Sequence, residues 1–115
     1  MKNILVVDDE ELLAECLKDE FEFLGHRVTT VNDPEMAPPL VVKEKFDIIL
    51  LDIKMPKMNG IELFEKIRPL TNAKIVFLSA ISDMMSHEPA LEKADMILEK
   101  PFSLEDIKKI VDLSN

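Results

Sequence analysis

Four stretches of the chain are apolar without interruption, and each stops at a polar residue. Ile4-Leu5-Val6-Val7 runs into Asp8-Asp9, Ile48-Ile49-Leu50-Leu51 into Asp52, Ile75-Val76-Phe77-Leu78 into Ser79, and Met96-Ile97-Leu98 into Glu99-Lys100. A short apolar run with no polar alternation fits a strand buried on both faces, as in the middle of a parallel sheet. Arg27–Val31 (RVTTV) is β-branched and half polar, which predicts a further strand nearer the sheet edge.

Between these runs the period changes to that of a helix. From Glu10 to Leu24 the residues Leu13, Cys16/Leu17, Phe21 and Leu24 recur near helical spacing, and Gly25 is placed to end the helix. Asn32-Asp33-Pro34 is a helix start, but Pro38-Pro39 interrupts the Glu35–Lys45 segment. An interior proline costs about 3 kcal/mol, so this helix is expected to break or restart at Pro38. Ile61–Arg68 carries Ile61, Phe64 and Ile67 on one face and is closed by Pro69. Asp83–Lys93 predicts a weakly patterned helix with Pro89 inside it. Ser103 opens the final helix with Asp106 three residues on, a partial capping box. Its predicted apolar stripe is Leu104, Ile107, Ile110 or Val111, and Leu113. The alternation is βα five times over. Short connections and right-handed crossovers then give an α/β fold: one parallel sheet, doubly wound, with helices on both faces. No linker interrupts it, which predicts a single domain over residues 1–115.

Composition narrows the function. The net charge of -9 repels a phosphate backbone and argues against direct nucleic-acid binding. No window approaches the roughly 18 apolar residues of a membrane span. The acids that follow Val7 rule out a signal peptide. A cytoplasmic protein is expected. The single cysteine, Cys16, falls in the helical pattern and is expected to be a small core residue in a reducing compartment.

In a parallel sheet all strand carboxyl ends share one edge, where open α/β sheets place their ligands. That edge would carry Asp8, Asp9, Asp52, Ser79 and Lys100. Each alone is an ordinary turn or surface residue. Asp52 is the least ordinary, because a carboxylate closing a buried strand must be solvated or paired. Together the carboxylates need a cation, and oxygen-only donors fit Mg²⁺, with Mn²⁺ as a substitute, better than zinc. Such a cation would let a carboxylate attack a phosphoryl group. Lys100 and the Ser79 hydroxyl would hold the phosphoryl oxygens.

Four motifs in order, ILVVDDE at Ile4–Glu10, DIILLDIKMPKMNG at Asp47–Gly60, IVFLSA at Ile75–Ala80 and EKPF at Glu99–Phe102, make the chain resemble a response-regulator receiver domain over essentially its whole length. The resemblance implies a flavodoxin-like (βα)5 sheet of order 2-1-3-4-5. It implies Asp52 as phosphoacceptor, Asp8 and Asp9 as the acid pair for Mg²⁺ with Asp9 binding directly, and the Lys54 backbone carbonyl as a further ligand. Ser79 would be the hydroxyl that senses the phosphoryl group, Lys100 its counter-charge, and Lys100–Pro101 a cis peptide. A histidine kinase or phosphotransfer protein would be the donor. A downstream protein would dock on the face made by the Asp83–Lys93 segment, the last strand and the last helix, and the chain would be a monomer or a phosphorylation-dependent dimer. It would be a signalling phosphoacceptor rather than an enzyme, with only limited self-phosphorylation and autodephosphorylation.

The chain departs from the family in places. Ile97 stands where a tyrosine or phenylalanine usually relays the signal. Ile81, two residues after the hydroxyl, is expected to slow attack by water. Two other functions compete. An aspartyl-nucleophile phosphatase would want a second acid where Lys54 stands, and a flavodoxin-like cofactor binder would want stacking aromatics, but the chain has no Trp or Tyr. The chain would also fit a module cut from a longer regulator, while the complete set of acids, hydroxyl and lysine argues against a receiver used only as a scaffold.

Overall fold

The computed structural model describes residues 1–55, 57–79 and 93–114. Five parallel strands, β1 (Asn3–Val7), β2 (Arg27–Val31), β3 (Ile48–Asp52), β4 (Lys74–Ser79) and β5 (Met96–Glu99), form one sheet in the order β2-β1-β3-β4-β5. This is the predicted doubly wound arrangement. The helices are α1 (Glu11–Phe23), α2 (Ala37–Lys43), α3 (Gly60–Ile67) and α4 (Leu104–Asp112). The helix expected over Asp83–Lys93, with its Pro89 and Ile81 before it, falls outside the described residues except for Lys93.

The strands follow their sequence pattern. β3 is buried at all five positions, and its neighbours β1 and β4 at all but their first. β2 lies at the edge and is only partly buried, as its threonines require. Successive side chains alternate between faces. Leu5, Val7, Ile49, Leu51, Ile75 and Phe77 therefore pack with α2 and α3 on one side. Ile4, Val6, Ile48, Leu50, Val76 and Leu78 pack with α1 and α4 on the other. Phe64 and Phe77 meet at 5.4 Å between ring centroids and anchor the first layer.

Local chemistry sets the helix ends. Gly25 takes φ +90° after α1, and the His26 and Gly25 N–H groups donate to the Phe21 and Glu22 carbonyls, closing a Schellman turn. The Pro34–Met36 stretch makes one 3-10 turn before α2 starts at Ala37. Pro38 and Pro39 thus lie in the first turn of α2, where backbone N–H groups have no helical partner to lose. The restart expected at Pro38 occurs one residue earlier for this reason. The Ser103 hydroxyl accepts from the Asp106 N–H and the Asp106 carboxylate from the Ser103 N–H, a complete capping box.

Two core assignments are corrected. Cys16 is exposed, not buried. Ala14 and Leu17 take the inward positions of α1, and Cys16 lines the open groove between α1 and α4. Leu104 is also exposed, at 51%. It is the first residue of α4, on the rim of the same groove, and Ile107 and Ile110 alone are buried from that helix.

Candidate functional site

Among the described residues the fully buried core holds three polar side chains: Asp8, Asp52 and Ser79. All three sit at carboxyl ends of adjacent strands. Asp8 follows β1, Asp52 ends β3 and Ser79 ends β4, one residue past Leu78, the partner of Asp52 in the register. The placement is costly. A buried carboxylate loses its hydration and needs hydrogen bonds or a counter-charge.

The bonds present hold these groups only in part. Asp8 Oδ1 accepts the Glu10 N–H at 2.9 Å, while Asp8 Oδ2 is buried and receives no hydrogen bond. Asp52 Oδ1 receives the Lys54 N–H at 3.4 Å. Burial pushes the Asp52 carboxyl up to about 7, and the negative charge of Asp8 adds to the shift while the Lys100 ammonium opposes it. Burial also raises the Asp8 carboxyl, against the Glu10 N–H and Lys100.

Lys100 supplies the positive charge. Its Nζ lies 3.6 Å from Asp52 Oδ2, 3.8 Å from Glu10 Oε1 and 3.9 Å from Asp8 Oδ2. Its backbone N–H donates to the Ser79 carbonyl at 2.8 Å, and the Lys100–Pro101 peptide is cis, as expected. The backbone is tight on the other side. The Gly60 N–H donates to the Ile53 carbonyl at 2.7 Å, and a Cβ on Gly60 would come within 2.2 Å of the Asp52 carbonyl oxygen. Only glycine lets α3 begin so close to Asp52. Asn59 caps α3, its Oδ1 accepting from the Glu62 N–H at 2.8 Å.

The structure thus brings together Asp8, Asp52, Ser79 and Lys100, with the Lys54 backbone above Asp52. Asp9, between Asp8 and Glu10 in the chain, is exposed. Carboxylate oxygens of Asp8, Glu10 and Asp52 lie within 4.8 Å of one another. The chain turns after β1, with Asp8 Oδ1 accepting the Glu10 N–H, and this turn sets Glu10 beside Lys100. Sequence reasoning missed Glu10, which this local turn, not a strand period, brings to the site. It also missed the Asn59-x-x-Glu62 cap. Ile97 is half-buried, packed against the layer that contains Phe77 and paired with Phe77 across the sheet.

The donor set suits a hard divalent cation. Its oxygens are carboxylate oxygens, one of them buried and without a hydrogen-bond donor. Fold and donor set together define a doubly wound α/β domain with an acidic, lysine-flanked site at the carboxyl edge of its sheet. The chain belongs to the response regulator receiver domain family, whose model matches residues 4–112. It is 36% identical over 105 residues to the uncharacterized transcriptional regulatory protein YrkP of Bacillus subtilis, covering 90% of this chain and 45% of YrkP. It is similar to a chain in the crystal structure of histidine kinase ThkA in complex with response regulator protein TrrA, with TM-score 0.87, 35% identity and coverage of 99% and 98% of the two chains. The CheY-like receiver domain from Methylobacillus flagellatus shares the fold, with TM-score 0.91, 24% identity and coverage of 100% and 99%. The chain spans about half the length of the curated relatives it matches. Among the described residues no helix is long and apolar enough to cross a membrane.

Proposed function

We propose that this chain accepts a phosphoryl group on Asp52 from a phosphohistidine donor and changes its protein contacts in response. The observation that carries this is the set of three buried polar residues, Asp8, Asp52 and Ser79, at one sheet edge with Lys100 beside two of them. An Asp52 carboxylate oxygen attacks phosphorus. The O–P bond forms as the P–N bond of the donor breaks, and that electron pair stays on the imidazole nitrogen. Lys100 offsets the charge that accumulates on the phosphoryl oxygens, and the Ser79 hydroxyl donates to one of them. Water later cleaves the acyl phosphate and restores Asp52.

Asp8, Asp9, Asp52 and the Lys54 backbone carbonyl are the groups that would hold Mg²⁺, or Mn²⁺ in its place. The bound cation supplies charge neutralisation for the incoming phosphoryl group and keeps Asp52 ionised. Phosphorylation adds roughly -1.5 to -2 charge beside Lys100. That favours arrangements in which Lys100 and Ser79 close on it. The signal then leaves to the face that includes β5 and α4. With Ile97 packed against Phe77's layer, it does not depend on an aromatic flip. The kinase-complex relative supports a histidine kinase as the donor. Neither competing reaction gains support: Lys54, exposed, occupies the position where a phosphatase of this kind would carry its second acid.

The test uses acetyl phosphate and intact mass. With Mg²⁺ the protein should gain one phosphoryl group, hydroxylamine should remove it as it does an acyl phosphate, and a chelator should prevent it. No adduct, or one resistant to hydroxylamine, contradicts the proposal.

A further inference from the structure

Glu10 is the N-cap of α1, yet its side chain makes no capping hydrogen bond. Glutamate is also not among the favoured N-cap residues. Its carboxylate turns to the site instead, where Oε1 lies 3.8 Å from Lys100 Nζ and within 4.8 Å of oxygens of Asp8 and Asp52. It is open to solvent, with 66% of its side chain exposed, while the other two acids are closed in. Lys100 therefore stands between two buried carboxylates and one at the mouth, beyond 3.5 Å from each. Independently, the buried Asp8 Oδ2 is aimed into this cluster without a donor of its own.

We propose that Glu10 is a positioning residue that draws Lys100 toward the mouth of the site and so strengthens binding of a divalent cation between Asp8 and Asp52. The proposal rests on the reading of Asp52 given above. An ammonium and a divalent cation compete for the same two buried carboxylates. Each fraction of the Lys100 charge neutralised at the mouth leaves those carboxylates more negative toward the cation. The Glu10 charge also attracts the cation directly across solvent. Two cation charges about 5 Å from one carboxylate in water give roughly a fifteenfold change in affinity, which salt near 0.1 M screens to roughly five- to tenfold. Salt screens an exposed partner and shrinks this factor.

The experiment is a Mn²⁺ titration followed by electron paramagnetic resonance of free Mn²⁺, on full-length wild type, Glu10→Gln, Lys100→Met, Glu10→Gln/Lys100→Met and Asp52→Asn. Circular dichroism confirms that each is folded, and Glu10→Asp serves as the conservative variant. Glu10→Gln should weaken Mn²⁺ binding roughly five- to tenfold, less so at high salt, with partial rescue in Glu10→Asp. The loss should shrink when Lys100 is already methionine, because Glu10 acts partly through that side chain. Wild-type affinity in Glu10→Gln overturns the inference and leaves the Asp52 reading standing. A full Glu10→Gln loss in the Lys100→Met background overturns the part played by Lys100. Binding that Asp52→Asn does not weaken overturns the underlying reading.

Discussion

Both edges of the sheet carry aspartates, but they are held in opposite ways. At the amino edge Asp47 Oδ2 accepts the Asn3 N–H at 2.7 Å. Asp95 Oδ2 accepts the Ile75 N–H at 2.8 Å and lies 3.7 Å from Arg68 and near Lys74. Arg68 in turn donates to the Thr71 and Ala73 carbonyls. These acids close strand ends, and their charge is answered from the chain itself. At the carboxyl edge Asp8 and Asp52 face each other, with one lysine among three acids and a buried oxygen without a donor. The amino edge spends its acids on stability. The carboxyl edge keeps its acids short of partners, so a cation and a phosphoryl group can complete them.

That contrast can be broken by mutation. The largest effect is expected for Gly60→Ala, which forces a Cβ into the Asp52 backbone carbonyl. Urea unfolding should show a loss of about 3 kcal/mol, with acceptance of phosphoryl at Asp52 impaired as well. Next comes Asp95→Ala at the amino edge. It strips the buried Ile75 N–H of its acceptor and should cost about 2 kcal/mol in the same assay.

At the carboxyl edge the sign reverses. The Asp52 carboxyl is raised to about 7 in the cation-free fold, so the folded state binds its proton more tightly than the unfolded chain. Stability contributed by that proton is present below the unfolded pKa and is lost as pH rises through about 7. Asp52→Asn removes this loss. Relative to its difference from wild type at pH 4, the variant should gain stability progressively as pH rises to 8 without Mg²⁺. A destabilised Asp52→Asn with no pH dependence would place Asp52 with the amino-edge acids. The smallest effect, about 1 kcal/mol lost, is expected for Ser103→Ala, which removes the α4 cap and none of the acids at either edge.

Much of this was legible before the structure. An unbroken apolar run such as Ile48–Leu51 has only one place to go in a doubly wound sheet, and the residue closing it lands at the carboxyl edge. Paired prolines and an Ser103-x-x-Asp106 pattern fix helix starts by local chemistry alone. Cys16 and Leu104 were harder, because neighbouring positions on a helix differ by a fraction of a turn. Packing against α4 decides that Leu17 goes inward and Cys16 faces the groove. Glu10 was hidden for another reason. The contiguous Asp8-Asp9 pair stands out in the sequence, whereas Glu10 reaches the site through the turn in which its N–H donates to Asp8 Oδ1. The tight approach of α3 to Asp52, which requires Gly60, is a contact between segments and has no signature beyond the Asn59-Gly60 turn.

The most direct measurement compares an acid from each edge. Wild type, Asp47→Asn and Asp52→Asn are incubated with acetyl phosphate and Mg²⁺ and weighed by intact mass spectrometry. The account predicts a single phosphoryl adduct on wild type and on Asp47→Asn, and none on Asp52→Asn. An adduct that persists undiminished in Asp52→Asn would contradict it.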